Sequence, residues 1–328
     1  MKNVLLVGGC GFLGSHLLDR LLLRDDLNAL VVVDNLWTGT IANISHIDDP
    51  RLHFIECDIE TFDSEIQFDE VIHFGSPASP PWYMQEPIRT IKANVHGALN
   101  ILKLIKKDGK FCFASTSEVY GDPLISPQPE SYRGSVDCTG PRSAYDEAKR
   151  CTESILFESR RTTGLDIRVI RLFNVYGPRT RLDDGRAVSN FIGQALTTGE
   201  LTVYGDGTQT RSWGYVDDII DALERYFWRD ESVVHPGPVN IGNDREVPVL
   251  EIAQFIAQEI SGSKVIFAPP IPQDPTNRCP DLTRCREILP GWEARVPFEE
   301  GIRRTIDWFK EEIARGRAIP LAPAAVRL

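Results

Sequence analysis

Residues 4–22 read VLLVGGCGFLGSHLLDRLL. The first four are apolar without a break. A strand apolar at every position is buried on both faces, which is the habit of strands in parallel sheets. A glycine turn follows, and apolar residues then recur at 12, 13, 17, 18, 21 and 22, the spacing of a buried helix face. Gly8, Gly11 and Gly14 form a GxxGxxG turn between strand and helix. Glycine there permits a tight turn, close approach of backbone to a pyrophosphate, and close helix–strand packing. The pyrophosphate then meets the free N–H groups of the helix start at Phe12 and Leu13, where the dipole favours an anion. Asp34 ends the second apolar run, 20 residues after Gly14. A carboxylate at that place accepts from both ribose hydroxyls and repels a 2′-phosphate, so the expected cofactor is NAD and not NADP.

Further apolar runs continue the pattern at 29–34, 52–58, 70–75, 110–115 and 167–174. Helical spacing separates several of them, at 12–23 and 88–107. Strands alternating with helices predict an α/β fold, a Rossmann-type doubly wound parallel sheet. The cofactor set is completed by Asn35, Thr38, Gly39, Asp58, Ile59, Phe74 and Ser76, with Asp58 expected near the adenine. Beyond residue 174 the chain is richer in Pro and Gly, and 125–132, 175–186 and 267–280 read as loops. Helical patterns at 247–260 and 297–313 belong to a smaller, interleaved C-terminal α/β substrate domain. The expected division is 1–173 plus about 212–238 for the cofactor, and about 174–211 plus 239–328 for the substrate.

The net charge of −11 argues against nucleic acid as a partner, because phosphate neutralisation needs a basic face. No apolar run reaches membrane length, and no secretory leader is read at the N-terminus. Seven cysteines occur at irregular spacing without a CxxC pair, so they are expected as reduced thiols of a cytoplasmic protein, with no metal site.

Tyr145 and Lys149 lie in YDEAK, one helical turn apart on one face. An ammonium beside a phenol is expected to lower its pKa from about 10 and make it a general base. The run FCFASTSEVYG, 111–121, turns from apolar to polar at Ser115, Thr116, Ser117 and Glu118, where a parallel strand would open into a ligand cleft.

Together the glycine turn, the polar strand end and YxxxK resemble the extended short-chain dehydrogenase/reductase family, which acts on nucleotide sugars. Thr116 matches its strand-end hydroxyl. The blocks SPASPPWYM (76–84), STSEVYGDP (115–123), GPRSAYDEAKR (140–150), NVYGPR (174–179), DDGRAVSNFI (183–192), LTVYGDGTQTR (201–211) and NRCPDL (277–282) narrow the resemblance. They look like the UDP-glucuronate decarboxylase branch, also called UDP-xylose synthases. Related 4,6-dehydratases carry Asp where this chain has Ser117.

The resemblance implies a redox-neutral decarboxylation of UDP-glucuronate to UDP-xylose. Tyr145 takes the C4 hydroxyl proton, Thr116 binds the developing oxyanion, and Lys149 holds the ribose. A C4 ketone lets carbon dioxide leave C5, and the ketone is then reduced again. Glu118 is assigned an electrostatic or acid/base role, destabilising the substrate carboxylate by like charge. Arg278 is assigned carboxylate binding or proton donation. Asn174, Arg186, Tyr204, Arg211 and Lys92 are implied around the UDP-sugar, and a homodimer through 88–107 and 143–163. The chain departs from the family at Cys10, Ala93, 130–134 and 137–142, where Arg133 replaces an aromatic residue and could alter sugar preference. Two other readings stand beside this one: a UDP-sugar 4-epimerase or an oxidative decarboxylase releasing the 4-keto sugar, and a non-catalytic NAD sensor.

Overall fold

The computed structural model describes residues 1–228, 236–270 and 277–317. The first half builds β1 (Lys2–Val7), α1 (Phe12–Leu22), β2 (Leu27–Asp34), β3 (Leu52–Glu56), β4 (Phe68–His73), α2 (Pro80–Gln85), α3 (Pro87–Ile101), β5 (Ile105–Thr116), α4 (Ser143–Thr163) and β6 (Asp166–Leu172). There follow β7 (Asn174–Tyr176), α5 (Ala187–Thr197), β8 (Glu200–Tyr204), β9 (Thr210–Tyr215) and α6 (Val216–Phe227). The last elements are β10 (Val239–Ile241), β11 (Glu246–Pro248), α7 (Val249–Glu259), β12 (Lys264–Ala268), β13 (Asn277–Arg278), α8 (Thr283–Ile288) and α9 (Phe298–Ala314).

Seven parallel strands form the main sheet in the order β10-β6-β5-β4-β1-β2-β3. Side chains alternate across it. Val4, Leu6 and Val32 join the core under α1 and α6, while Leu5, Val7, Val31 and Val33 join the core under α3 and α4. Both faces are covered, which explains the unbroken apolar runs. Strand order reverses between β1 and β4, so their carboxyl ends open a crevice. Two small sheets lie apart. One holds β11, β9, β13 and β7, and the other pairs β12 with β8.

Four sequence expectations change. The helix expected over 88–107 stops at Ile101, because Ile105 pairs with Phe68 and starts β5. The run 167–174 splits at Phe173, whose N–H donates to the Ile241 carbonyl, and Asn174 starts β7 in a small sheet. Residues 239–241, expected in the substrate part, pair with β6 in the main sheet. The stretch 267–280 is not all loop: it holds the end of β12 and all of β13, while 271–276 lie outside the described residues. So do 229–235 and 318–328 of the expected domain ranges.

Candidate active site

A cavity of about 1260 Å³ runs along the carboxyl ends of β1, β2, β4 and β5 and continues to the small sheets. Gly8, Gly11, Phe12, Leu13 and Gly14 line one wall. Gly8 has φ +81°, and a Cβ there would meet the Gly75 backbone at 2.7 Å. A Cβ on Gly14 would strike the Gly8 carbonyl oxygen. Backbone, not side chain, therefore fills this cradle, and the start of α1 carries no side-chain cap. Asp34 accepts from the Cys10 N–H at 3.0 Å and the Leu36 N–H at 2.9 Å. One bond on each oxygen leaves acceptor capacity on both for a pair of ribose hydroxyls. These features fit a dinucleotide.

Asn35, Thr38, Gly39, Ile59, Phe74 and Ser76 also line the cavity. Asp58 does not. Its neighbours Cys57 and Ile59 face inward, and its carboxylate accepts from Asn35 and lies 3.4 Å from Arg89. Arg89 in turn lies 4.2 Å over the Trp37 ring. Asp58 thus braces the cleft mouth from outside. Lys92 is a second correction. On α3 the buried positions are Thr90, Asn94, Gly97, Ala98 and Ile101, which turns Lys92 to the exposed face, away from the cavity. Arg133 is exposed and outside the lining as well, whereas Ala93 lies within it.

Thr116 ends β5, and its Oγ1 accepts from the Glu118 N–H at 3.2 Å, starting a 3-10 turn over Ser117–Tyr120. Its hydroxyl also acts on the phenol of Tyr145, which α4 brings to the strand end, and favours the phenolate. Lys149, one turn on, donates to the Ala114 carbonyl at 2.7 Å. Its Nζ lies 4.7 Å from the Phe113 ring centroid and 5.7 Å from that of Tyr145. Burial lowers Lys149 to about 7, against the pull of Glu153. Tyr145 moves opposite to the sequence expectation. Burial pushes its phenol above the ordinary range, and the Thr116 hydroxyl offsets only part of this. The Lys149 amine is turned to the Ala114 carbonyl, and burial of the phenol outweighs it.

Glu118 sits between two guanidiniums. Its Oε2 accepts from Arg142 at 2.6 Å and from Arg278 at 3.2 Å, and Arg278 also donates to the Ser117 carbonyl at 2.7 Å. Burial would raise its carboxyl, but Arg278, Arg142 and Arg211 outweigh burial and hold it below the usual range. This overturns the like-charge idea. An ion-paired Glu118 does not repel a substrate carboxylate, because the surroundings are net cationic.

Asn174, Arg186, Tyr204, Arg211 and Arg278 all line the cavity. Arg186 pairs with Asp184, its NH2 2.9 Å from Oδ1, and its charge reaches Tyr145. Sequence reasoning missed two residues. Arg142 stands three positions before Tyr145, where its only signal is the GPR of block 140–150. Tyr83, from the SPASPPWYM block, stacks on Tyr145 with ring centroids 4.8 Å apart and planes 5° apart. Its buried hydroxyl has no protein partner and lies in the cavity wall. Among the described residues no cluster suited to a metal ion occurs, and no helix is long and apolar enough to cross a membrane.

A glycine cradle at the β1–α1 turn, a ribose-ready Asp34 and a Thr–Tyr–Lys set at the end of β5 share one cleft. The sequence pattern of the NAD dependent epimerase/dehydratase family matches residues 4–242, ending one residue past β10. The chain belongs to that family. It is an extended short-chain dehydrogenase/reductase, and NAD is its cofactor. Within the family it is 46% identical over 303 residues to UDP-glucuronic acid decarboxylase 5 of Arabidopsis thaliana, covering 92% of this chain and 87% of that one. It is 43% identical to UDP-glucuronic acid decarboxylase 1 of Xenopus tropicalis, over 99% of this chain and 77% of that one. The UDP-glucose 4-epimerase of Thermotoga maritima, solved with UDP-glucose, superposes with a TM-score of 0.82 at 30% identity, covering 95% and 99% of the two chains. A dTDP-glucose 4,6-dehydratase of Streptomyces venezuelae, solved with NAD bound, gives 0.83 at 26% identity, covering 98% and 100%.

Proposed function

We propose that this chain decarboxylates UDP-glucuronate to a UDP-pentose, UDP-xylose, by a redox-neutral route through a C4 ketone. One observation carries the reading beyond oxidation at C4. Two residues past Thr116, Arg142 and Arg278 converge on Glu118 at 2.6 and 3.2 Å, with Arg211 acting on it as well. Three guanidiniums against Glu118 and Asp146, whose carboxyl burial and Glu118 push up to about 7, leave positive charge that suits a substrate carrying a carboxylate beside its reacting carbon. Relatives named UDP-glucuronic acid decarboxylase, matched over nearly the whole chain, support the same reaction.

Carbon dioxide leaves poorly from an ordinary sugar acid because the bonding electrons have nowhere to go. A carbonyl at C4 is β to the C5 carboxylate and receives them as an enolate. The glycine cradle and Asp34 would hold NAD, which would supply the hydride acceptor for C4 and the hydride for its later reduction. Tyr145 takes the C4 hydroxyl proton and gives it back. Thr116 donates a hydrogen bond to the developing C4 oxyanion. Lys149 and Arg186 supply the positive charge that a buried phenolate needs. Arg278 and Arg142 orient the leaving carboxylate, and Glu118 fixes both guanidiniums. The seven-stranded sheet serves the cofactor, and the elements from β7 to β9 together with β11–β13 serve the UDP-sugar.

Incubation with UDP-glucuronate tests this. Release of carbon dioxide with a UDP-pentose product is expected, and a product of unchanged mass would favour the 4-epimerase. The same reading includes a homodimer. Ile88 is 64% exposed, Leu99 46% and Ile91 37%, a stripe along α3 that a second copy would cover. A monomeric mass by light scattering would contradict it. All seven cysteines are unpaired, which supports a cytoplasmic location. Fractionation that finds the protein elsewhere would contradict that.

A further inference from the structure

Glu153 is 6% exposed, carries a charge, and takes no part in the steps above. It lies outside the cavity lining. On α4 it stands one turn beyond Lys149, as Lys149 stands one turn beyond Tyr145, so the three share one face. Its carboxylate is fixed from two neighbouring strands. Ser115 on β5 donates to Oε1 at 2.5 Å. Arg171 on β6 donates to Oε1 at 3.0 Å and to Oε2 at 2.7 Å. Ser115 lies between Ala114, whose carbonyl holds Lys149, and Thr116, which lines the cavity with Tyr145. One carboxylate thus ties the strand end that carries Thr116 to the helix that carries Tyr145 and Lys149.

We propose that Glu153 is a positioning residue: anchored by Arg171 and Ser115, it sets both the charge of Lys149 and the spacing between Thr116 and Tyr145. This rests on the oxidation step proposed above. The groups around Lys149 leave Glu153 as its anionic neighbour. On α4 stand Tyr145 and Glu153, and β5 offers the Phe113 ring and the Ala114 carbonyl. From β4 comes His73, kept neutral because burial and Lys149 lower it to about 3. Burial drives Lys149 towards the neutral amine, and Glu153 opposes it. The groups around Glu153 are Ser115, Arg171 and, through Arg171, the hydroxyl of Tyr120 at 3.1 Å. With Gln in place of Glu153, more of the pair exists as phenol with free amine, and less as phenolate with ammonium, the form that accepts the C4 proton.

The test uses the NAD-loaded protein with UDP-glucuronate and records kcat and KM against pH for the wild type, Glu153→Gln and Ser115→Ala. Glu153→Gln should lower the plateau of kcat about tenfold with KM little changed, and move its alkaline limb to lower pH by about one unit, one pKa unit being a tenfold change in equilibrium. Ser115→Ala removes the strand anchor but keeps the charge, so its alkaline limb should stay in place while kcat falls. Glu153→Gln leaves Arg171 without its carboxylate, which can unfold the chain. The double variant Glu153→Gln/Arg171→Gln avoids a lone buried charge and should show the same shift of the limb. An unmoved limb in a folded variant, whether or not stability falls, would overturn the proposal and leave Glu153 a structural ion pair. If the wild type releases no carbon dioxide, the functional reading itself fails, whatever the variants do.

Discussion

Tyr145→Phe should cut turnover by about 10²–10⁴-fold while leaving cofactor binding intact. The substitution removes one oxygen and keeps the ring that stacks on Tyr83 at 4.8 Å, so the fold and the cavity wall stay as they are. What disappears is the atom that the Thr116 hydroxyl acts on, placed to take a proton from the C4 hydroxyl. General acid–base catalysis contributes about 10²–10⁴-fold, and the loss in kcat should fall in that range. Because proton removal precedes every later step, formation of reduced cofactor and release of carbon dioxide should fall together on mixing with UDP-glucuronate. Retention of NAD through purification shows that the cradle is intact. Unchanged turnover in this variant would remove Tyr145 from the proton transfer, whereas no turnover even in the wild type would return weight to a non-catalytic NAD sensor.

Arg278→Met is the second large effect, and it should act at a different step. Arg278 is 2% exposed and joins Glu118 to the Ser117 carbonyl from β13, far along the chain. Removing a preorganised charge that faces the reacting group costs about 10²–10³ in kcat. The C4 hydroxyl, Thr116 and Tyr145 are untouched, so oxidation should still occur. The variant should therefore accumulate the reduced cofactor's absorbance after substrate is added, with carbon dioxide release falling far more than the absorbance rise. Glu118 loses one of the three guanidiniums that hold its carboxyl low, so its pKa should rise and activity should fail at higher pH on the acidic side than in the wild type. Arg278→Lys keeps the charge but loses the two-pronged geometry, and should lie between the two. Equal loss of both steps would place Arg278 in UDP binding alone.

Both residues were named from the sequence, Tyr145 from local spacing and Arg278 only through the family resemblance. The cofactor half was legible because its determinants are local. Gly8, Gly11 and Gly14 lie within one turn, Asp34 ends the next strand, and YxxxK is one helical turn. The polar end of β5 was visible as a break in an apolar run. The Glu118 clamp was only partly legible, since its members stand at 118, 142, 211 and 278 and meet only when β9 and β13 pair. Arg142 has no motif of its own, and Tyr83 reads as one more aromatic residue beside two prolines. The failures have physical reasons too. Lys92 and Asp58 sit one position out of phase with residues that face the cleft. The end of α3 was overrun because Leu102, Leu104 and Ile105 extend the helical spacing, while pairing with β4 claims Ile105 for the sheet. The shift of Tyr145 was misjudged because spacing along a helix says nothing of burial, and Lys149 has a carbonyl to hold it.

The most direct test of the central claim follows one hydrogen. UDP-glucuronate deuterated at C4 is converted in ordinary water, and the product is examined by mass spectrometry and NMR. A closed redox cycle predicts a UDP-pentose lighter by carbon dioxide, with the deuterium still at C4 and a solvent hydrogen at C5. A nucleotide sugar that keeps its carboxylate, or a pentose whose C4 label has gone into released cofactor, would contradict the account.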